Sequence, residues 1–580
     1  MDRIKLFQIS AFIIVLIIIF RLFYWQFLSG LRSTQDSSLK ESEIPASRGE
    51  IYSSDGFPLV TNQEAFLIYA KPHELDKKAQ DIAKTLAPDL ISEKYATNPA
   101  GLNEEELKKK EDEIKQKMEE LTKKLENKNL FWVQLARKVP LKVKEKIEKS
   151  KITGIEFERD EKRFYPEASM AAQLLGFVGF DKFGSDVGYF GLEGHWDRHL
   201  RGKNGRLGQE QDPHGLPILV GQYKRIEPKK GTALTLSIDR TIQFIVEEKL
   251  KNAVEKYGAK DGTVIIADPQ EGTILAMATY PTYNSQLRIE FDEKLYKNTA
   301  VADTFEPGST FKVIAMAAAL DLSAVDPSTK CTICTGPQKI GGFEISTWNK
   351  KYYPNSTMAE VIEHSDNVGM TFVSEKLGID KFYDYIIKFG FGKRTGIDLQ
   401  EEQAGSVRDK DQWRPIDVAT ASFGQGIAVT PIQMVQAIGA IANGGKLISP
   451  RIVTEIKQNE KEEKTKPENA KQIVSTKTAS QITEMMVNAV EKGEARAFVP
   501  KGYRIAGKTG TAQIPIAGHY DPDKTIASFV GFAPAEKPKF VMLVRFTEPS
   551  SSPFGSETAA PTFFSIAKDL FNHFGIPPKE

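Results

Sequence analysis

The sequence predicts an α+β protein: an antiparallel sheet flanked by helices, carried behind an N-terminal transmembrane helix. Three observations predict it. Leu6–Phe20 is an uncharged run of 15 residues dominated by Ile, Leu, Val and Phe. Strand-like runs stand at Thr232–Ile238, Thr263–Ala267 and Thr273–Met277, the last two joined by turn residues. Long helical patterns over 309–390 and 415–443 then give way to strand patterns and a final helix.

In chain order, the apolar run comes first. Arg21 interrupts it, and Leu22–Leu28 carries the apolar character on. A spanning helix needs about 20 apolar residues. Ile4 to Leu28 supplies them when Arg21 reaches the interface beside Tyr24 and Trp25. A cleaved signal peptide has a shorter core and a small-residue cleavage site, which does not follow here, so an uncleaved anchor over 1–30 is expected. Arg3 and Lys5 before the run and Arg21 and Arg32 beside it leave its orientation open. Residues 29–47 are polar and read as a tether.

From Arg48 to about Glu227, short strand-like runs surround one helical segment, Asn103–Asn129. Leu107, Ile114, Met118, Leu121 and Leu125 make a narrow apolar stripe there among Glu and Lys. A helix resting on its own domain is favoured over a partner-binding coiled coil. The linker Gly221–Gly231 marks a boundary, which gives an anchor at 1–30, a first domain at 31–228 and a second at 229–580. In the second, Thr232–Ile238 reads as a strand and the residues up to Leu250 as a helix. Thr263–Ala267 is a buried strand, Asp268–Gly272 a turn and Thr273–Met277 the return strand. Further strands are expected near Arg504–Ala506, Thr525–Phe532 and Phe540–Phe546, with a helix over Phe563–His573. The Lys/Glu run 457–471 reads as a solvated hairpin loop.

A length of 580 residues favours two or three domains. Lys+Arg 78 against Asp+Glu 77 gives no basic surface for nucleic acid. The two cysteines, Cys331 and Cys334, cannot build a disulfide scaffold or a four-Cys zinc site. Their setting, Lys-Cys-Thr-Ile-Cys-Thr-Gly-Pro, favours a structural turn over a redox motif, with a local disulfide open to it in an oxidising compartment. No metal or cofactor is expected.

Ser309-Thr-Phe-Lys312 is the first chemical candidate. Pro307 and Gly308 form a turn, and Val313–Leu320 continues as a helix with no polar face, which must be central and buried. Ser309 and Lys312 at i, i+3 share one face of its first turn. A buried lysine loses hydration, and its lowered pKa lets it take the serine proton. Alone, Ser309 reads equally as a helix N-cap. Ser365-Asp366-Asn367 lies between two helical runs, and Lys508-Thr509-Gly510-Thr511 follows a short strand. The order Ser-x-x-Lys, Ser-Asp-Asn, Lys-Thr-Gly is the motif set of penicillin-binding proteins and class A β-lactamases. It supplies a nucleophile and base, a second hydroxyl and an amide, and a strand-borne cation beside a glycine that permits close approach of a substrate backbone.

With these motifs in this order, the chain resembles a class B penicillin-binding protein, of the division type, over nearly its whole length. Arg48-Gly-Glu-Ile-Tyr52, Arg163-Phe-Tyr-Pro166, Leu175-Gly-Phe-Val-Gly179 and Gly191-Leu-Glu193 are similar to the family's elongated α+β pedestal. Phe305-Glu-Pro-Gly-Ser309, Ser422-Phe-Gly-Gln-Gly-Ile427 and Thr430-Pro-Ile-Gln433 are similar to its transpeptidase domain. Ser53-Ser-Asp-Gly56 departs from the usual Asp-Arg-Asn-Gly. The resemblance implies a D,D-transpeptidase, acylated on Ser309 by a stem peptide or a β-lactam. Lys312 would be base, Ser365 proton relay and Asn367 the holder of Lys312 and substrate amide. The N–H groups of Ser309 and Thr511 would form an oxyanion hole, and Lys508, Thr509, Gly510 and Thr511 would bind the substrate end. It further implies a SEDS-family glycosyltransferase and division proteins as partners, and an extracytoplasmic catalytic domain on a single-pass anchor. Septal synthesis is expected, with an elongation-type enzyme as the alternative. A β-lactamase would be a shorter secreted chain, a β-lactam sensor would need more spans or an effector, and a dead scaffold would lack a motif residue.

Overall fold

A 13-residue strand, Pro58–Ala70, organises the first half of the chain. Val60, Phe66, Ile68 and Ala70, which share one face of the strand, are buried, so that face packs inward. In this computed structural model, which describes residues 3–24, 39–91, 104–210, 223–290, 292–458, 461–467, 470–516 and 519–579, it pairs antiparallel with both Val133–Pro140 and Ile155–Phe164. Helix Glu104–Glu126 buries Leu121 and Leu125 against Ile82, Leu86 and Leu135. The charged helix therefore rests on its own domain, as the stripe predicts. Leu107 stays exposed near its start.

The sheet does not stop at the boundary expected near residue 229. Ala233–Leu236 lies parallel to Ile51–Tyr52 and antiparallel to Val453–Gln458, so seven strands from both halves form one sheet. The described chain accordingly divides into two compact units, 1–48 with 201–231, and 49–200 with 232–580. In the smaller unit Leu39–Ile44 pairs with Gly205–Glu210. That corrects the tether expected over 29–47, because Leu39–Ile44 within it is strand. Residues 29–38 lie outside the described residues. Helix Arg3–Phe23 exposes its apolar side chains from Phe12 to Phe23. Among the described residues no helix is long and apolar enough to cross a membrane, and residues 25–28 of the expected span are not among them.

A second sheet of five antiparallel strands carries the chemistry. We label its strands β1 (Asp261–Ala267), β2 (Ile274–Tyr280), β3 (Ala506–Ile516), β4 (His519–Ala533) and β5 (Phe540–Thr547). Their order is β2-β1-β5-β4-β3, which leaves β3 as an edge. Every residue of β5 is buried, because helices cover both faces. Phe540, Met542, Val544 and Phe546 join a core with helices Arg240–Tyr257 and Ala559–His573, whereas Val541 and Leu543 face the larger core. The period of two sorts one strand between two cores.

On that larger side sit α1 (Lys312–Asp321), α2 (Met358–Glu363) and α3 (Asn367–Leu377). Every α1 residue from Lys312 to Leu320 is buried, as the lack of a polar face requires. The helical stretch expected over 309–390 is broken between α1 and α2. Cys331 and Cys334 form a disulfide in that interval, and Cys331 N–H donates to the Ser356 carbonyl, which ties the interval to the start of α2. The strand expected over Arg504–Ala506 instead begins at Ala506 and continues through Lys508–Thr511. Lys457–Lys471 contains an exposed strand, Lys461–Lys464, paired with Val453–Gln458.

Two of the sequence motifs meet in the pedestal half. Arg163 Nε donates to Glu193 Oε1 at 2.6 Å with both side chains buried, and Arg163 Nη1 donates to Asn62. Removing one member of a buried pair leaves the other charge without compensation. Glu193→Ala is expected to cost about 3–5 kcal/mol, read as a large drop in thermal midpoint of the full chain. An unchanged midpoint would show that Arg163 finds another partner or reaches water.

Candidate active site

Ser309 stands in a 3₁₀ turn, Gly308–Phe311, that runs directly into α1. The turn is held on two sides. Gly308 has φ +55°, and a Cβ there would come within 3.0 Å of the Thr511 carbonyl on β3. Gly308 N–H also donates to the Gly424 carbonyl. The Ser309 hydroxyl makes no helix-capping bond, so the N-cap alternative falls away. Thr310 instead donates its hydroxyl proton to the Pro307 carbonyl.

Lys312, one turn on, has no exposed surface. Its Nζ donates to the Ser365 carbonyl at 2.5 Å, Asn367 Oδ1 at 2.8 Å and Ser365 Oγ at 3.2 Å. Ser365 adopts φ +55°, in the left-handed region that non-glycine residues seldom occupy. That local strain turns the Ser365 carbonyl inward to Lys312. Asp366 caps α3 by accepting from Val368 N–H. Asn367 opens that helix, and its Nδ2 donates to the Ser346 carbonyl. Its two amide partners, a lysine and a carbonyl, fix its orientation.

Lys508 approaches from the edge strand β3 and is also buried, with Nζ 3.2 Å from Thr509 Oγ1. The five residues Ser309, Lys312, Ser365, Asn367 and Lys508 are thus brought together, with Thr509, Gly510 and Thr511 continuing β3 past the turn of Ser309. A Cβ on Gly510 would approach Thr310 Cγ2 at 2.8 Å and Ser528 Oγ at 2.4 Å, so the glycine is what lets strand and turn pack this closely.

Burial governs the charges. It drives Lys312 well below the ordinary lysine range, helped by the positive charge of Lys508 and opposed by Asp366 and Glu494. It pushes Lys508 down to about 8, against the pull of Glu494. Burial raises the Asp366 carboxyl in turn. The sequence singles out neither Glu494 nor its hydrogen-bond partner Ser556. No motif marks Glu494, which precedes Lys508 by a whole loop, and only the fold brings it near. No hydrogen bond reaches Ser309 Oγ among the described residues. Catalytic contacts commonly tighten only when substrate enters.

The penicillin binding protein transpeptidase domain model matches residues 262–571, and the penicillin-binding protein dimerisation domain model matches 43–236. Stage V sporulation protein D of Bacillus subtilis is 33% identical over 98% of this chain and 85% of its own. Peptidoglycan D,D-transpeptidase FtsI of Escherichia coli is 29% identical over 93% of this chain and 86% of its own. The structure of a peptidoglycan synthetase from Bifidobacterium adolescentis superposes with a TM-score of 0.73 at 27% identity, covering 94% of this chain and 98% of that one. The chain belongs to the class B penicillin-binding proteins, and is a serine-type peptidoglycan D,D-transpeptidase.

Proposed function

We propose that Ser309 is the residue acylated in this reaction, and the observation that carries the reading is the Lys312 amine. It is sealed from water and lies among Ser365 Oγ, the Ser365 carbonyl and Asn367 Oδ1, one helical turn from Ser309. Neutral Lys312 takes the Ser309 proton while Oγ attacks the penultimate D-alanine carbonyl of a stem peptide. The N–H groups of Ser309 and Thr511 receive the oxyanion. The C–N bond then breaks, and the proton passes from Lys312 through Ser365 Oγ to the departing D-alanine amine. An amine from a second stem attacks the ester, gives its proton to Lys312, and the Ser309 hydroxyl is restored as the cross-link forms. Asn367 holds Lys312 and the substrate amide. Charged Lys508, with Thr509 and Thr511, binds the terminal carboxylate, and the free edge of β3 accepts the peptide backbone as an added strand. A β-lactam acylates Ser309 as a mimic of the same peptide.

The wider assignments belong to the same reading. Residues 1–30 anchor the chain in the cytoplasmic membrane in a single pass, supported by the exposed apolar side chains from Phe12 to Phe23. Residues 31–228 are the pedestal and 229–580 the extracytoplasmic catalytic domain. The matched family models support that division. The machine is septal, partnered by a SEDS-family glycosyltransferase and division proteins, with motifs such as Ser422–Ile427 in support.

Intact-protein mass spectrometry after penicillin treatment is expected to show one adduct, placed by digestion on the peptide carrying Ser309. Its persistence in Ser309→Ala would overturn the assignment. Lys312→Arg puts a permanent charge where the neutral amine stands and supplies no base, so acylation should fall about 10²–10⁴-fold. A rate within about tenfold of the parent would mean that another group takes the proton.

The pH profile of acylation is set by two lysines of opposite requirement. Rate should rise with pH as Lys312 becomes neutral, and fall again near pH 8 as Lys508 loses its charge. Glu494 favours the charged form of Lys508. Glu494→Gln should therefore move the basic limb to lower pH, and an unmoved limb would remove Glu494 from the site.

A further inference from the structure

A buried carboxylate oxygen beside the base has no hydrogen-bond partner among the described residues. Asp366 is 2% exposed, and its Oδ1 accepts from Val368 N–H at 2.8 Å, the bond that caps α3. Its Oδ2 is closed to solvent and unpartnered. Capping does not account for that oxygen. A serine or an asparagine caps a helix as well as an aspartate does, and buries no charge. The backbone holds the residue in place from both sides. Asp366 N–H donates to the Val361 carbonyl of α2, and the Asp366 carbonyl accepts from Met370 N–H in α3. Its two chain neighbours reach one atom: Ser365 through its carbonyl and Oγ, and Asn367 through Oδ1, both bond Lys312 Nζ. An unpartnered carboxylate oxygen therefore sits at the centre of the three-residue turn that grips the buried amine.

Charges placed like this act through space. Water and salt screen an exposed pair, but do little between groups they do not reach. The charged groups that bear on the turn come from four elements. Lys312 lies on α1, and Lys508 on β3. His364 follows α2 with its ring stacked on Tyr353, and Glu494 follows helix Thr476–Glu491. Lys508 opposes a proton on Lys312, whereas Asp366 and Glu494 favour one. Glu494 bears on Lys508 as well, which leaves Asp366 as the carboxylate whose pull on the two lysines falls on Lys312. Burial holds the Asp366 carboxyl up, and the Val368 and Gly369 N–H groups, Lys312 and His364 draw it back.

We propose that Asp366 is a positioning residue for the base, the buried counter-charge that meets the ammonium formed on Lys312 when Ser309 is deprotonated. The step balances with no proton gained or lost by Asp366. The Ser309 O–H bond breaks, an N–H bond forms on Lys312, and the oxygen's electron pair attacks the acyl carbonyl. Positive charge then stands where water cannot reach it, and Asp366 supplies the opposite charge from the turn that already bonds the amine. When the proton leaves through Ser365 Oγ, the amine is neutral again. The proposal rests on acylation of Ser309 as described above.

The test is the pH profile of the second-order acylation rate constant, measured on the full chain with one penicillin. Asp366→Asn and Asp366→Ser keep an oxygen for Val368 N–H and remove the charge. Without the carboxylate Lys312 holds a proton less tightly, so the acid limb should move to lower pH by about one unit. A weaker base also takes the Ser309 proton less readily, so the plateau should fall about three- to tenfold. The variants therefore lose least at the acid end, a pattern that a lost helix cap does not produce. The basic limb, governed by Lys508, should stay in place. Asp366→Glu restores a carboxylate and should bring the acid limb back towards that of the parent. Where one of the two uncharged variants does not fold, the other gives the same reading. An acid limb that stays where it was, or moves to higher pH, in Asp366→Asn or Asp366→Ser would overturn the proposal, whatever the plateau does. Absence of a Ser309 adduct in the unaltered chain would instead overturn the acyl-enzyme reading, which keeps the two failures apart.

Discussion

The site depends on one costly placement, an amine with no access to water at Lys312 Nζ. A charged ammonium buried this fully would have to recover its lost hydration from the protein. It meets two carbonyl-type oxygens and a hydroxyl, and among the described residues no carboxylate is bonded to it. The lysine lowers its pKa instead. Much of the surrounding fold makes that outcome unavoidable. Helix α1 is apolar on all sides, so Lys312 cannot turn to solvent. Ser365 holds a left-handed backbone so that its carbonyl reaches inward. Lys508 adds a second positive charge that further disfavours protonation of Lys312.

The two lysines differ in what burial does to them. Both lose hydration, but Lys508 drops only to about 8 and so keeps much of its charge near neutrality. Lys312 bears the repulsion of Lys508 as well, and falls well below its ordinary range. Two like groups are thereby pushed apart in pKa, the kind of separation that assigns acid and base roles in many enzymes. In the proposed reaction the neutral amine accepts a proton and the charged one binds a carboxylate. Glu494, on the loop after helix Thr476–Glu491, favours the charged form of both, and burial raises its own carboxyl. It moderates the separation without cancelling it.

The parts of this design that were legible in the sequence are those in which a local pattern has one physical solution. An apolar helix opening with Ser-x-x-Lys had to be buried, and α1 is. The run Phe540–Phe546 could be read as a strand, and its sorting between two cores follows from its period of two. The charged helix Glu104–Glu126 had an apolar stripe too narrow for more than one side, and it rests on its own domain. What escaped depends on pairing between distant segments. Leu39–Ile44 carries Lys and Glu in a polar setting and becomes a strand only because Gly205–Glu210 lies beside it. Lys508–Thr511 continues a strand because β4 offers it a partner along its length. Glu494 belongs to no motif, and its neighbours Ser556 and Lys312 lie far along the chain.

The parallel pairing of Ile51–Tyr52 with Ala233–Leu236 bears on how the two halves of the large unit behave. A domain boundary drawn near residue 229 falls between strands Tyr223–Ile226 and Ala233–Leu236, yet the second of these returns to the pedestal sheet. The same strand then borders Val453–Gln458, and Asp398 accepts from Ile452 and Val453 N–H at 2.8 Å each. The chain beside Asp398 turns back to the pedestal, for Gln400 accepts from Phe190 N–H and donates to the Gly191 carbonyl. Backbone hydrogen bonds of this kind are paired on both sides of the junction, and separating the halves would expose each set to unmet donors and acceptors. Residues 49–200 and 232–580 therefore share one compact unit, in which Gly191 meets the loop through Gln400. That loop continues to Ser406, paired with Ala428, whose neighbour Val429 exchanges both backbone hydrogen bonds with Phe305, four residues before the Ser309 nucleophile of the proposed reaction.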